Sequence, residues 1–336
     1  MNTRRLATLL IPLALATAVG ACGSDDDDGG AGAATSGASA APASTTGATG
    51  STASAGGETV KIGFITKFPV DFYDTMVDAA KTWNEEHPDV ELVFAQGASG
   101  TDDEGEIAAI ESMITQGVQA IAITPTSPNV QDALQKAVDG GIKVILIDND
   151  IPDWDGKTTV VATDNKAGGV LAGEFMAGQL ADGDTVAILE GVPGAPSLVD
   201  RVTGFQEGLG DGFEIVASLP TDCDQTKGLD AAQDILTANP DVKAIYGACG
   251  PPIIGAIEAA QAAGSEVVLV GFDAGPDEVA AIVAGDELAS VAQFPAKMGS
   301  MGAQAALDAV NGVDVPANID TGTEMVTADN AADFGG

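Results

Sequence analysis

The chain has 336 residues, 45% hydrophobic and 4% aromatic, enough apolar material for two domain cores. Its 13 basic residues stand against 50 acidic ones, a formal net charge of -37. That balance excludes a nucleic-acid partner, since phosphate binding needs a concentrated basic surface, and it describes a strongly solvated exterior.

Residues 1–21 carry Arg4 and Arg5, an apolar stretch from Leu6 to Val19 and then small residues, the layout of a secretory signal. The end of that stretch, Val19-Gly20-Ala21-Cys22, resembles a bacterial lipobox, which implies cleavage before Cys22 and a diacylglycerol on its thiol. Residues 22–57 continue almost entirely in Gly, Ala, Ser and Thr, broken by Asp25 to Asp28. Such a segment forms no core and reads as a flexible tether with a reach of about 30 to 35 Å. The expectation is a domain lipid-anchored at the extracytoplasmic face of a bacterial membrane.

From Thr59 onward, apolar runs alternate with helical patterns. TVKIGFI leads to a helix with Tyr73, Met76, Ala80 and Trp83 on one face. VELVFA is followed by Thr101-Asp102-Asp103-Glu104, read as a capping box, and by Ile107, Ile110 and Ile114 as the buried stripe. QAIAIT precedes Ser127-Pro128, a cap with proline at the first helical position, then Val130, Leu134 and Val138, with Gly140-Gly141 as the stop. The run from Ile142 ends abruptly in Asp148, Asn149 and Asp150. These units make one parallel sheet with right-handed crossovers. Beyond Trp154 a polar turn and TTVVAT lead to Asp164-Asn165, where the chain is expected to enter a second lobe. That lobe repeats the pattern: TVAILEG, a helix over 197–209, FEIVASL, a helix to Ala238, VKAIYG, a helix from Pro251 to Ala263, VVLVGFD and ASVAQF. Two αβ lobes imply a cleft between them.

Open α/β sheets bind ligands outside the carboxyl ends of their strands, so Lys67, Asp148, Asn149, Asp273 and Gln293, all at or near such ends, are candidate site residues. A buried carboxylate costs on the order of several kcal/mol unless it accepts hydrogen bonds, and a polyhydroxylated ligand supplies hydroxyl donors in pairs. Arg201 can donate in parallel to ring or hydroxyl oxygens, while Phe72 and Tyr73 offer flat faces to the C–H side of a sugar. Helix capping is the alternative for each aspartate, and core packing for the aromatics. Catalysis has little to stand on. The single histidine, His87, precedes Pro88, so no Ser-His-Asp arrangement can be built. Gly191-Val192-Pro193-Gly194 lacks dinucleotide or Walker spacing, the Asp148 and Asp150 pair is too unspecific for glycoside hydrolysis, and no metal-ligand spacing occurs.

From about Thr59 to Val326 the sequence resembles the periplasmic ribose-type sugar-binding proteins of ABC importers. The resemblance is carried by LVGFDAGPDE, SVAQFPAKMGSMG, VDRVTGFQEGL, KGLDAAQDILTANPDVKAIYG and VATDNKAGG. It implies an α/β fold of two Rossmann-like lobes with parallel sheets joined by a three-stranded hinge: residues 58–163 plus 294–322, residues 164–293 plus 323–330, and a tail over 331–336. It implies that Phe72, Tyr73, Asp148, Arg201, Asp273 and Gln293 contact the sugar, with Lys67, Asp71, Asn149 and Cys249 beside them. It also implies a monomer without cofactor, metal or catalysis that delivers its sugar or polyol to ABC permease subunits; the alternative role is a sensor lipoprotein for a signalling receptor. The family's ribose binders have Arg where this chain has Asn149, Asn where it has Val70, an aromatic where it has Cys223, and Asn-Asp where it has Cys249-Gly250. These departures argue for a ligand other than ribose.

Cys223 and Cys249 follow FEIVASL and VKAIYG, and the resemblance places both at the pocket. Those strands are expected to flank the lobe's first strand, which separates their ends by about 10 Å and allows a bridge only if the loops lean together. In an exported domain, two remaining cysteines favour one disulfide.

Overall fold

The computed structural model describes residues 59–334. The expected signal, Cys22 and the expected tether lie outside the described residues. The chain runs β1 (Val60–Thr66), α1 (Asp71–Glu85), β2 (Val90–Gln96), α2 (Asp103–Thr115), β3 (Ala120–Ile123), α3 (Gln131–Asp139), β4 (Lys143–Ile147) and β5 (Thr159–Ala162). It continues with α4 (Asn165–Ala177), β6 (Thr185–Glu190), α5 (Pro196–Leu209), β7 (Glu214–Pro220), α6 (Gln225–Ala238), β8 (Ala244–Gly247), α7 (Gly250–Ala263), β9 (Val268–Asp273), α8 (Pro276–Ala284) and β10 (Ala289–Ala292). Last come α9 (Pro295–Val310), β11 (Asn318–Asp320) and β12 (Glu324–Thr327).

Two six-stranded sheets result, ordered β11-β5-β4-β3-β1-β2 and β12-β10-β9-β8-β6-β7. Every pairing is parallel except β10 with β12. The central strands read as unbroken apolar runs because both faces are covered. Along β4, Ile145 and Ile147 join the core of α1 and α9 with Ile62, Met76 and Met298, while Val144 and Leu146 point into that of α2 and α3 with Ile110 and Leu134. The period of two thus fills both sides of the sheet.

The chain passes between the sheets after β5, after β10 and after β11, since α9 and β11 return to the first sheet while β10 and β12 pair in the second. Asp320 ties two crossings together, its Oδ1 accepting from Asp164 N at 3.1 Å and from Gly322 N at 2.8 Å.

Three expectations need correction. The cap of α2 is Asp102 rather than Thr101; its carboxylate accepts from Gly105 N at 3.0 Å, the stronger acceptor at this position displacing the hydroxyl one residue earlier. The face that α2 buries is Glu106, Ile110 and Met113, with Ile107 and Ile114 only half-buried. Residues 331–334 are no loose tail: Ala331 opens a single 3-10 turn and is buried with Val279, Ile282, Ala292 and Val326.

Candidate functional site

In the first lobe β4, β3 and β1 lie side by side, so the residues just past their ends, Asp148, Thr124 and Lys67, share one edge. Asp148 has φ 66°, a left-handed backbone that a non-glycine residue adopts only under constraint. Its Oδ2 accepts from Tyr73 Oη at 3.2 Å and from Asn149 Nδ2 at 2.6 Å. Burial pushes the Asp148 carboxyl above the usual range against the opposing pull of Lys67 and Arg201. Burial likewise lowers the Lys67 ammonium, opposed by Asp148 and Glu106. Both shifts follow from two opposite charges held away from water. The Tyr73 hydroxyl is pushed up by burial and by Asp148, so it stays a donor.

Two residues here escaped the sequence reading. The Thr124 hydroxyl is buried without a hydrogen-bond partner among the described residues, and its place at the end of QAIAIT was the available signal. Glu106, 1% exposed, accepts at Oε2 from Thr126 N at 2.7 Å and Thr126 Oγ1 at 2.6 Å, while its Oε1 has no partner among the described residues. Burial raises this carboxyl too. Phe72 is half-buried and meets Tyr73 edge-on at 5.4 Å. Asp71 stands exposed in the first turn of α1 and takes part in none of these bonds.

In the second lobe Arg201 is 6% exposed. It is set there by close packing of α4 on α5: a side chain at Gly169 would strike the carbonyl of Arg201 at 2.3 Å, and one at Gly204 that of Lys166 at 2.1 Å. Its Nε donates to Asn165 Oδ1 at 2.8 Å, and its Nη1 donates to Ala248 O and to Asp273 Oδ1, each at 3.0 Å. The guanidinium lies 3.8 Å above the Phe272 ring, a cation–π contact that adds to the fixed fork. Asp273, at φ 104°, also accepts from Gln293 Nε2 at 2.7 Å and, through Oδ2, from Gly250 N at 3.3 Å.

Cys223 and Cys249 are joined in a disulfide with a Cα–Cα distance of 5.9 Å. β7 and β8 do flank β6, so the loop after β7 must lean across. It does so because Asp222 and Cys223 both turn left-handed, at φ 52° and 55°. Thr221 anchors the turn, its N–H and hydroxyl both donating to Glu190 O, at 2.9 and 2.5 Å. Cys249 is only 3% exposed, so of the two sulfur residues it is Cys223, half-buried, that has surface to offer.

The two walls act on each other: Asp148 of the first lobe lies within the fields of Arg201 and Asp273 of the second. A cavity of about 360 Å³ opens from Asp148 and Asn149 along the crossings to Asn165, Asp200 and Asp320. A profile described as a periplasmic binding protein domain matches residues 62–314. The chain belongs to the periplasmic binding protein family. Among relatives of this binding protein, the ribose import binding protein of Bacillus subtilis is 34% identical over 228 residues, 67% of this chain and 74% of that one. An ABC transporter solute-binding protein from Mycobacterium smegmatis, solved with bound glycerol, is 30% identical with TM-score 0.73, covering 82% of this chain and 97% of that one. One from Actinobacillus succinogenes, with bound D-allose, is 26% identical with TM-score 0.75, covering 82% and 99%.

These relatives are binding proteins, and this chain is a binding protein rather than an enzyme. His87 serves the fold: its ring stacks on Trp83 at 4.0 Å and its Nδ1 lies 2.7 Å from Trp83 O. Among the described residues no group of three or more His, Cys, Asp or Glu is placed to hold a metal ion.

Proposed function

We propose that this binding protein captures a neutral sugar or polyol between its lobes, as a monomer, and passes it to the permease of an ABC importer. Cys22 anchors it by lipid to the extracytoplasmic face of the membrane. The observation that carries the reading is the cavity that opens from Asp148 and Asn149 of the first lobe to Asn165, Ser197 and Asp200 of the second, beside Arg201. Asp148 and Glu106 face Lys67, and Asp273 is paired with Arg201, so the lining carries no surplus positive charge and an anionic ligand would have to be desolvated without a counter-charge. Hydroxyl groups, which donate and accept at once, match such a lining. Phe72, Tyr73, Asn149 and Gln293 complete the contacts, and Asp71 and Cys249 stand at their margin. Glycerol and D-allose in the solved relatives support the ligand class. Asn149 and the Cys223–Cys249 bridge, standing where ribose binders carry Arg and larger polar or aromatic groups, point to a ligand other than ribose.

The test is mass spectrometry of small molecules released on denaturing protein purified without refolding, followed by thermal-shift screening of pentoses, hexoses, inositols and linear polyols. A released polyol or sugar that raises the melting temperature supports the reading. Selective stabilisation by a sugar acid or an amino acid, with no response to any neutral polyol, would overturn it.

A further inference from the structure

The crossings between the lobes are joined to one another through groups that face the cleft. At the first, Thr163 follows β5 of the first lobe, Asp164 turns the chain with φ -70° and ψ 89°, and Asn165 opens α4 of the second. A single residue, Asp164, therefore separates the two lobes along the chain. The Asn165 side chain spans it, since its Nδ2 donates back to Thr163 O at 3.2 Å. On its other side Asn165 Oδ1 accepts from Arg201 Nε at 2.8 Å. Only one orientation of the amide satisfies both partners, because turned over it would set its oxygen against Thr163 O and its N–H against the guanidinium.

From Arg201 the path runs on to the second crossing. Nη1 donates to Asp273 Oδ1 at 3.0 Å, and the same oxygen accepts from Gln293 Nε2 at 2.7 Å. Gln293 stands between the end of β10 and Phe294, the residue that caps α9. Asp320 links the first crossing to the third, as its Oδ1 accepts from both Asp164 N and Gly322 N. The guanidinium is thus held at Nε and Nη1, while Nη2 donates to no described residue. In a planar fork the direction of the third nitrogen is set by the other two. Asn165, half-buried, also lines the cavity that opens from Asp148, so it borders the crossing and the site at once.

We propose that Asn165 is a positioning residue that couples the setting of the first crossing to the orientation of Arg201. The torsions of Asp164 lie between Thr163 O and Asn165 Nδ2, so rotation of the lobes at that residue shifts the amide on which Arg201 Nε rests. The guanidinium is aimed into the cleft when the lobes stand in the present arrangement, and its aim is released as they part. The consequence for ligand capture rests on the role proposed for Arg201, but the test uses no ligand, so the two readings fail separately.

The chain has three arginines, and Arg4 and Arg5 lie in the expected signal, so Arg201 supplies a well-separated side-chain Nε–Hε signal in a proton–nitrogen correlation spectrum, assigned by its loss in R201K. In ligand-free protein, exchange of this proton with water is expected to be slow in the wild type and faster by about tenfold in N165A, which lacks the acceptor. It should be slow again in N165D, whose carboxylate accepts from Nε but cannot donate to Thr163 O. The crossing is then disturbed from the far side: D320A should speed the exchange by at least about threefold in the wild-type background and leave it unchanged in the N165D background, where the link to Thr163 is cut. Should N165D not fold, N165A and D320A carry the test. A signal as slow in N165A as in the wild type, no response to D320A in the wild-type background, or an equal response in the N165D background would each overturn the proposal, the last by showing that Asn165 supports the fold without relaying the crossing to Arg201.

Discussion

Replacing Cys223 and Cys249 together by alanine should cost the fold about 3 to 4 kcal/mol. The sulfurs close a loop of 26 residues, for which the chain-entropy model gives about 3.5 kcal/mol at room temperature. Little should be added or subtracted by the native state. Cys249 is buried but small, and the lean of the 221–223 loop does not depend on the bridge alone, since Thr221 donates twice to Glu190 O and Asp222 N donates to Gly191 O at 3.3 Å. The measurement is urea unfolding of oxidised wild type, reduced wild type and the double variant. The last two should coincide, with midpoints lowered by roughly 1 M. Thiol counting on denatured, unreduced protein supplies the control: Cys22, where not lipidated, should be the sole titratable thiol. Two further thiols, or a double variant as stable as oxidised wild type, would refute both the bridge and the reasoning about its loop.

Arg201→Lys keeps the charge but cannot reach Asn165, Ala248 O and Asp273 together; it should weaken binding by roughly 2 to 3 kcal/mol by calorimetry with the ligand found in the screen, and wild-type affinity would place the site elsewhere. Asp320→Ala removes the link between two crossings and should widen the ligand-free X-ray scattering envelope, while ligand should compact the wild type; curves unchanged by a tightly bound ligand would argue against lobe closure. Cys22→Ser should move the protein from the membrane fraction to the medium or leave it unprocessed, and unchanged partitioning would remove the anchor.

The sequence made the strand ends legible because their physics is local. An apolar run that stops in a carboxylate or an amide must put that group at a sheet edge, and Lys67, Asp148, Asp273 and Gln293 are found there, with Arg201 brought to Asp273 from α5. What stayed hidden was charge placed in the interior against its usual tendency. Glu106 follows an apparent cap and reads as first-turn solvation, yet α2 turns it inward to Thr126 and leaves Ile107 at the rim. Glu278 reads as a dipole-favoured acid at the start of α8, and nothing in its neighbours announces that Gly271 and Gly250 clear a place for it. The Cys223–Cys249 bridge was expected from the cysteine count, whereas the way the loop leans to make it was not legible, because it depends on left-handed turns at two residues that are not glycine.

The two cleft carboxylates are built alike and stand in different states. Asp273 has both oxygens engaged within its own lobe, by Arg201, Gln293 and Gly250 N. Asp148 receives both of its donors at Oδ2, and its Oδ1 accepts no hydrogen bond from any described residue. Lys67, which feels the charge of Asp148, also donates to none of them. On the proposed reading a ligand hydroxyl would donate to Asp148 Oδ1 and accept from Lys67, so the first lobe keeps unused valences while the second has satisfied its own. Asparagine tolerates the left-handed backbone at both sites, which makes the comparison clean. Asp148→Asn should cost roughly 2 to 4 kcal/mol of binding with little loss of fold, because only the ligand was to use Oδ1. Asp273→Asn should cost roughly 1.5 to 3 kcal/mol of stability, since an amide N–H would face donors that now bond a carboxylate. Calorimetry and urea unfolding on both variants separate the two effects; equal losses of binding and equal losses of stability would show that the asymmetry of the lobes carries no energetic consequence.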